Sequence, residues 1–198
     1  MQDTTISLCM IVKNEEAVLE RILKPVSQVM DAILIADTGS SDRTKEIAEQ
    51  YTSQVFDFPW CDDFSAPRNF LLEKVRTDYW MWLDADDMIT QENLYRLKQL
   101  KETLSPNTDM VMMDYVTDFD EWNHAAFSCY RERILKTSRN FRWRGRVHES
   151  IIPTGNILYS PIQIEHRKIK PCSSFRNLHI YQQMIEEGEP LEPRDLFY

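Results

Sequence analysis

The chain has 198 residues, 42% hydrophobic and 28% charged, which fits one folded domain with a possible tail and excludes a disordered or fibrous chain. Its 32 acidic and 23 basic residues give a formal charge of -9, which argues against general nucleic-acid binding but leaves room for a local basic pocket. The four cysteines form no CxxC pair, which argues against a zinc site. No apolar run is long enough to span a membrane, and the start lacks the pattern of a secretory leader, so a reduced, cytoplasmic protein is expected.

Residues 6–12 form a short apolar run that reads as a strand buried on both faces. Lys13-Asn14-Glu15-Glu16 ends it, with Asn14 placed to cap a helix that runs toward Leu23 and is limited by Pro25. Residues 32–36 are a second buried strand, closed by Asp37. The turn Thr38-Gly39-Ser40-Ser41-Asp42 then leads into a capped helix through about Gln50. A third strand covers 54–58. A helix covers 66–75, with Pro67 in its first turn. The fourth strand is 79–83, and a helix over 91–104 stops at Ser105-Pro106.

Four strand–helix units with short connections predict a mainly parallel sheet with right-handed crossovers. After Asp109 the pattern changes. Residues 110–116, 125–135 and 151–159 read as strands without long helices between them, and 162–165 as one more. The fold class is therefore α/β: a Rossmann-like mixed sheet with a parallel, helix-flanked N-terminal half and an antiparallel C-terminal extension. Residues 174–187 return to helix, with Gly188 as the stop. We divide the chain into a domain over 1–170 and a helical tail over 171–198. The apolar end Leu196-Phe197-Tyr198 leads us to expect that the natural protein continues.

The chemistry concentrates where Tyr79-Trp80-Met81-Trp82-Leu83 runs into Asp84-Ala85-Asp86-Asp87. A strand interior cannot hold three carboxylates, because unpaired buried charge is costly. They belong at the carboxyl edge of the sheet, where open α/β sheets bind ligands. Carboxylates gathered there suit a hard divalent cation shared with phosphates. The bland alternative is a solvated turn capping the helix at Gln91. The turns carrying Asn14 and Glu15, Asp37 to Asp42, and Asp84 to Asp87 follow three of the early strands, so all three face one edge. Arg68 and Asn69, near a helix start, suit a diphosphate. Phe141 to Glu149 packs three arginines, Gly145, His148 and Glu149 into nine residues, an unusual density for a core segment. The five tryptophans read as core or pocket walls.

Together these residues resemble a family 2 glycosyltransferase of the GT-A fold, over Ile6 to about His166. The resemblance rests on the segment from Ser7 to Glu16, on Asp37 to Thr44, on Asp84-Ala85-Asp86-Asp87 as a DxD motif, and on Trp143 to Glu149 as an acceptor-side segment. It is closest to bacterial enzymes whose catalytic domain precedes tetratricopeptide-type repeats. It implies an inverting transfer from a nucleotide-diphosphate sugar, uridine diphosphate-linked, with Mn2+ or Mg2+. The implied donor-site residues are Val12, Asn14, Glu15, Asp37, Arg68, Asp84, Ala85 and Asp86. Asp37 would meet the base and Asp84 the ribose. Asp86 and His166 would hold the metal, and Glu149 would act as catalytic base. The family's carboxylate pair is His148-Glu149 here, so Asp118 and Asp120 stand as substitutes. The resemblance leaves the acceptor open among glycan, lipid and protein. The competing readings are a nucleotidyltransferase or pyrophosphorylase, which a Gly-rich phosphate loop would favour, and a sugar-nucleotide-binding module without turnover. The chain has only four glycines and no such loop.

Overall fold

The structure, a computed structural model, describes residues 4–168, 175–191, 193 and 195. Met1 to Asp3, Cys172, the expected helix start at Ser174, the boundary at 170/171 and the Leu196-Phe197-Tyr198 end lie outside the described residues.

The elements in chain order are β1 (Ile6–Val12), α1 (Leu19–Val26), β2 (Ala32–Asp37), α2 (Thr44–Glu49), β3 (Val55–Asp57), α3 (Ser65–Leu72), β4 (Tyr79–Trp82), β5 (Asp87–Met88), α4 (Gln91–Thr103), β6 (Met110–Phe119), β7 (Ala125–Lys136), β8 (Ile157–His166) and α5 (Phe175–Glu186). One eight-stranded sheet runs in the order β3-β2-β1-β4-β7-β6-β8-β5. β1 pairs parallel with β2 and β4, and β2 with β3. β7 pairs antiparallel with β4 and β6, and β8 with β5. This is the mixed α/β sheet expected from the sequence, with one addition: β8 runs parallel to β6.

The inner strands β1, β2 and β4 are apolar on both faces because both faces are covered. Ile6, Leu8 and Met10 pack with Leu19, Ile22 and Leu23 of α1 and with Leu94 and Leu97 of α4. Cys9, Leu34, Trp80 and Trp82 pack on the other side with Leu71 and Leu72 of α3 and with Phe141 and Trp143. Of the five tryptophans, Trp122 departs from the expected core role. It sits at the β6–β7 turn and is 69% exposed.

Several boundaries differ from expectation: α3 ends at Leu72, β6 runs on to Phe119, and others shift for local reasons. Residues 151–156 are not strand, and β8 joins the two expected strands by passing through Pro161 at a register shift opposite Met113/Asp114. The chain turns at Gly155 (φ +85), where a Cβ would collide with the Asp109 carboxylate. Asp109 Oδ2 instead accepts the Asn156 N–H. Asn14 does not cap α1; it has φ 57 and its side chain reaches the β2 turn. Pro25 lies inside α1, one residue before its end.

The central polar feature is the pair Asp87–Arg133, both fully buried, with Nη1 3.1 Å from Oδ2. Asp87 Oδ1 also accepts from Tyr115 Oη, and Oδ2 from the Asp84 N–H. Breaking a buried pair by removing one partner strands the other charge and costs about 3–5 kcal/mol. Arg133→Leu is expected to lose stability in that range by urea denaturation. The double variant Arg133→Leu/Asp87→Leu is expected to lose less than the single one, since it leaves no uncompensated charge.

Candidate functional site

The first two polar turns lock to each other. Asn14 Oδ1 accepts the Ser41 N–H, and the Asn14 N–H donates to Ser40 Oγ. The Glu15 N–H donates to Thr44 Oγ1 and the Glu16 N–H to Asp42 Oδ2, while Glu16 Oε2 accepts the Arg43 N–H. Asp37 Oδ1 accepts the N–H groups of Gly39 and Ser40, closing its own turn. Gly39 has φ +100, a conformation glycine adopts without penalty. The edge is therefore preorganised before any ligand arrives.

The third turn carries the acidic cluster. Arg68 from α3 is buried, with its side chain 8% exposed, and it spans two carboxylates. Its Nη2 donates to Asp84 Oδ1 at 2.8 Å and its Nε to Glu149 Oε1 at 2.6 Å. Its guanidinium also stacks on Trp82 and Trp143, 5.1 and 4.7 Å from the ring centroids. Burial pushes the Asp84 carboxyl up, but the Arg68 and Arg133 guanidiniums outweigh it and hold the group below the usual carboxylate range. Asn69, the neighbour of Arg68, is structural: its side-chain amide clasps the backbone N–H and C=O of Trp143.

Asp86, Asp87 and His166 bring two carboxylate oxygens and a ring nitrogen together, all within 4.8 Å of one another. The β5–β8 ladder causes this by pairing Asp87 with His166 across 79 positions of sequence. His166 Nδ1 lies 3.4 Å from Asp86 Oδ1 and 3.5 Å from Asp87 Oδ1. It is buried without a hydrogen-bond partner. Two neighbouring ligands about 2.1 Å from a shared octahedral Mg2+ or Mn2+, about 90° apart, would be separated by about 3.0 Å, so these groups need close by only a few tenths of an ångström. An orphaned nitrogen facing two carboxylates thus fits a hard divalent cation. Burial also raises the Asp86 carboxyl; the His166 ring counters this, and the Asp84 and Asp87 charges add to it.

Glu149 ends a tight loop closed by paired backbone bonds between Arg144 and Ser150. Gly145 (φ +93) and His148 (φ 51) turn the chain there. Val147 is buried against Ile180 and Met184 of α5, and Arg146 Nη2 contacts Glu187 and Glu189 at 2.5 Å each.

These parts line one cavity of about 890 Å³, a volume that suits a small-molecule ligand. Among the expected site residues, Val12, Glu15, Arg68, Asp84, Ala85, Asp86, Glu149 and His166 line it. Asn14 and Asp37 do not; they build its rim through the turn bonds above, and Thr38 is the β2-turn residue in the wall. Asp118 lines the cavity, whereas Asp120 Oδ1 is bound to the turn amides of Trp122 and His124. Sequence reasoning missed Asp87 as a ligand candidate, although it stood in the acidic run, because the DxD spacing pairs Asp84 with Asp86. Tyr115, Arg131, Arg176 and Asn177 also line the wall and carried no sequence signal.

The family described as Glycosyl transferase family 2 matches residues 7–160. The chain is 24% identical over 213 residues to the SPbeta prophage-derived glycosyltransferase SunS of Bacillus subtilis, covering 98% of this chain and 48% of that protein. A TPR repeat-containing protein of Synechococcus elongatus is 40% identical over 87 residues, 44% of this chain and 22% of its own length. The chain thus spans less than half the length of these relatives. Among solved structures, glucosyl-3-phosphoglycerate synthase from Mycobacterium tuberculosis, in complex with Mn2+ and uridine-diphosphate-glucose, superposes with TM-score 0.61 at 14% identity, over 96% of this chain and 81% of that one. S. aureus TarS 1-349 in complex with UDP-GlcNAc superposes with TM-score 0.62 at 13% identity, over 96% and 68%. At these identities the structures establish the shared fold.

Burial opposes a charged His166 ring, but the facing Asp87 and Asp86 carboxylates outweigh it and raise its pKa above the ordinary 6.5. The stability this pairing contributes is complete below about 6.5 and is lost as pH rises through the folded value. Histidine NMR titration of the metal-free protein is expected to give His166 a midpoint above 6.5. Asp86→Asn is expected to move that midpoint down, because it removes one of the two facing charges.

Proposed function

The chain belongs to glycosyl transferase family 2, and from that premise we propose an inverting, cation-assisted transfer of a sugar from a uridine diphosphate donor to an acceptor hydroxyl. The observation that carries the reading is the cation-shaped trio Asp86, Asp87 and His166, of which Asp86 and His166 line the same cavity as Glu149 while Asp87 stands behind them. No helix among the described residues is long and apolar enough to cross a membrane. The free thiols Cys61 and Cys129 are exposed, which supports our assignment to a reducing compartment, the cytoplasm.

The roles follow from position. Val12, Glu15 and Thr38, at the ends of β1 and β2, take the nucleoside, and Asp37 and Asn14 hold that rim in shape. Asp84, oriented by Arg68, meets the ribose, with Ala85 beside it. Asp86, Asp87 and His166 would hold Mn2+ or Mg2+, which when bound neutralises charge developing on the diphosphate leaving group. Arg68 fixes Glu149 through Oε1, and we assign Oε2 to the acceptor's proton. A base-activated hydroxyl displacing the diphosphate directly inverts the anomeric carbon. Two structural neighbours are complexes with UDP-Glc and UDP-GlcNAc, which supports the uridine assignment. A module without turnover would not require Glu149 to share Arg68 with the donor-side Asp84.

Two substitutions separate binding from chemistry. Changes one shell out from a metal cost about 10–100-fold in affinity, so loss of a direct ligand in Asp86→Asn should weaken Mn2+-dependent UDP binding at least tenfold by calorimetry. Equal affinity would remove Asp86 from the ligand set. Glu149→Gln should leave donor affinity nearly intact and lower turnover about a hundredfold or more, measured as donor hydrolysis or transfer. Turnover within a few fold of the parent would move the base to Asp118.

A further inference from the structure

We propose that Arg21 is a positioning residue for the cation site: its guanidinium joins the two chain segments that carry the ligands. The proposal rests on the cation reading above. Arg21 Nη2 donates to the Asp86 carbonyl at 2.8 Å and to the Arg167 carbonyl at 3.2 Å. The first carbonyl belongs to a ligand residue, and the second to the residue that follows His166. The Asp86 carbonyl also accepts the Arg167 N–H at 3.0 Å. One guanidinium nitrogen therefore closes a three-way clasp between residues 21, 86 and 167.

The surroundings make the clasp rigid on each side. Arg21 sits on α1, whose Leu19, Ile22, Leu23 and Val26 are buried in the core. Arg167 is held from the other direction: its Nε binds Glu165 Oε2 at 2.8 Å, its Nη1 binds Asn123 Oδ1 at 2.5 Å, and its guanidinium covers the Phe119 ring. The strand end that carries His166 is thus fixed from both the helix layer and the β6–β7 turn.

Charge does not explain where Arg21 lies. No carboxylate pairs with it in the ion pairs of the described residues, and its Nε is buried without a hydrogen-bond partner, which is unfavourable. A guanidinium beside a dication site is repulsive as well. A geometric role does explain it. By engaging backbone carbonyls, Arg21 sets the spacing of Asp86 and His166 and leaves the carboxylate oxygens and Nδ1 to the cation. The β5–β8 ladder is only two residues long on the β5 side, so it fixes this spacing weakly alone.

The test is Mn2+ binding to the purified full chain, followed by electron paramagnetic resonance of free Mn2+. Arg21→Met keeps the apolar stem and removes the donors. Its Kd for Mn2+ is expected to rise about 10–100-fold, as for other outer-shell changes. Saturating Mn2+ should then restore the thermal stabilisation that the parent gains from the ion, which a general folding defect would not allow. If Arg21→Met fails to fold, Arg21→Lys carries the same test, with a smaller rise of roughly several-fold to tenfold expected. A parent that binds Mn2+ alongside a folded variant with the same Kd overturns the proposal alone. A parent that binds no Mn2+ overturns the cation reading and this proposal with it.

Discussion

A carboxylate with no exposure to solvent, Asp87, is the constraint around which the site is organised. Taking it out of water is expensive, and the fold meets that cost with a fully buried guanidinium, a tyrosine hydroxyl and a backbone amide. Each partner comes from a different place: Arg133 from β7, Tyr115 from β6, the amide from Asp84. Satisfying one buried charge therefore fixes the acidic turn to the antiparallel half of the sheet. The same contact brings His166, the register partner of Asp87, to the turn.

The opposite half of the edge is built by other means. There the turns after β1 and β2 hold each other by side-chain-to-backbone bonds, with little buried charge. A rim of amides and short polar side chains is suited to hydrogen-bonding a nucleoside. A turn crowded with carboxylates suits a cation and the phosphates that accompany it. Arg68 joins the second region to the loop that ends at Glu149, because one guanidinium holds Asp84 with one nitrogen and Glu149 with another. The two carboxylates are therefore mechanically linked.

Much of this was legible in the sequence where local chemistry is decisive. The early strands announce themselves as apolar runs, and the polar turns after them mark the sheet's carboxyl edge. What the sequence hid was pairing across long separations. Arg133 reads as an ordinary strand residue until Asp87 is found beside it, and Asn14 reads as a helix cap until the β2 turn is found above it. Pro161 looks like a strand boundary, yet β8 passes through it at a register shift, where the missing N–H is tolerated. The α5 wall carried no signal either, because its buried face depends on Val147 arriving from the loop.

The electrostatics explain why this arrangement stays ready for its ligands. Arg68 and Arg133 favour ionised Asp84, while neighbouring charges and burial work against ionised Asp86. Adjacent carboxylates in one turn are thereby driven apart. The one already matched to guanidiniums keeps its orientation, and the one that is not remains in need of a cation. His166 meets that need in part as an imidazolium, raised above its ordinary pKa by the same carboxylates. On the proposed reading a divalent ion would meet it more fully, and it would have to displace the ring proton to use Nδ1. Proton and cation would then compete for the same three side chains, and both would stabilise the junction of β5 and β8.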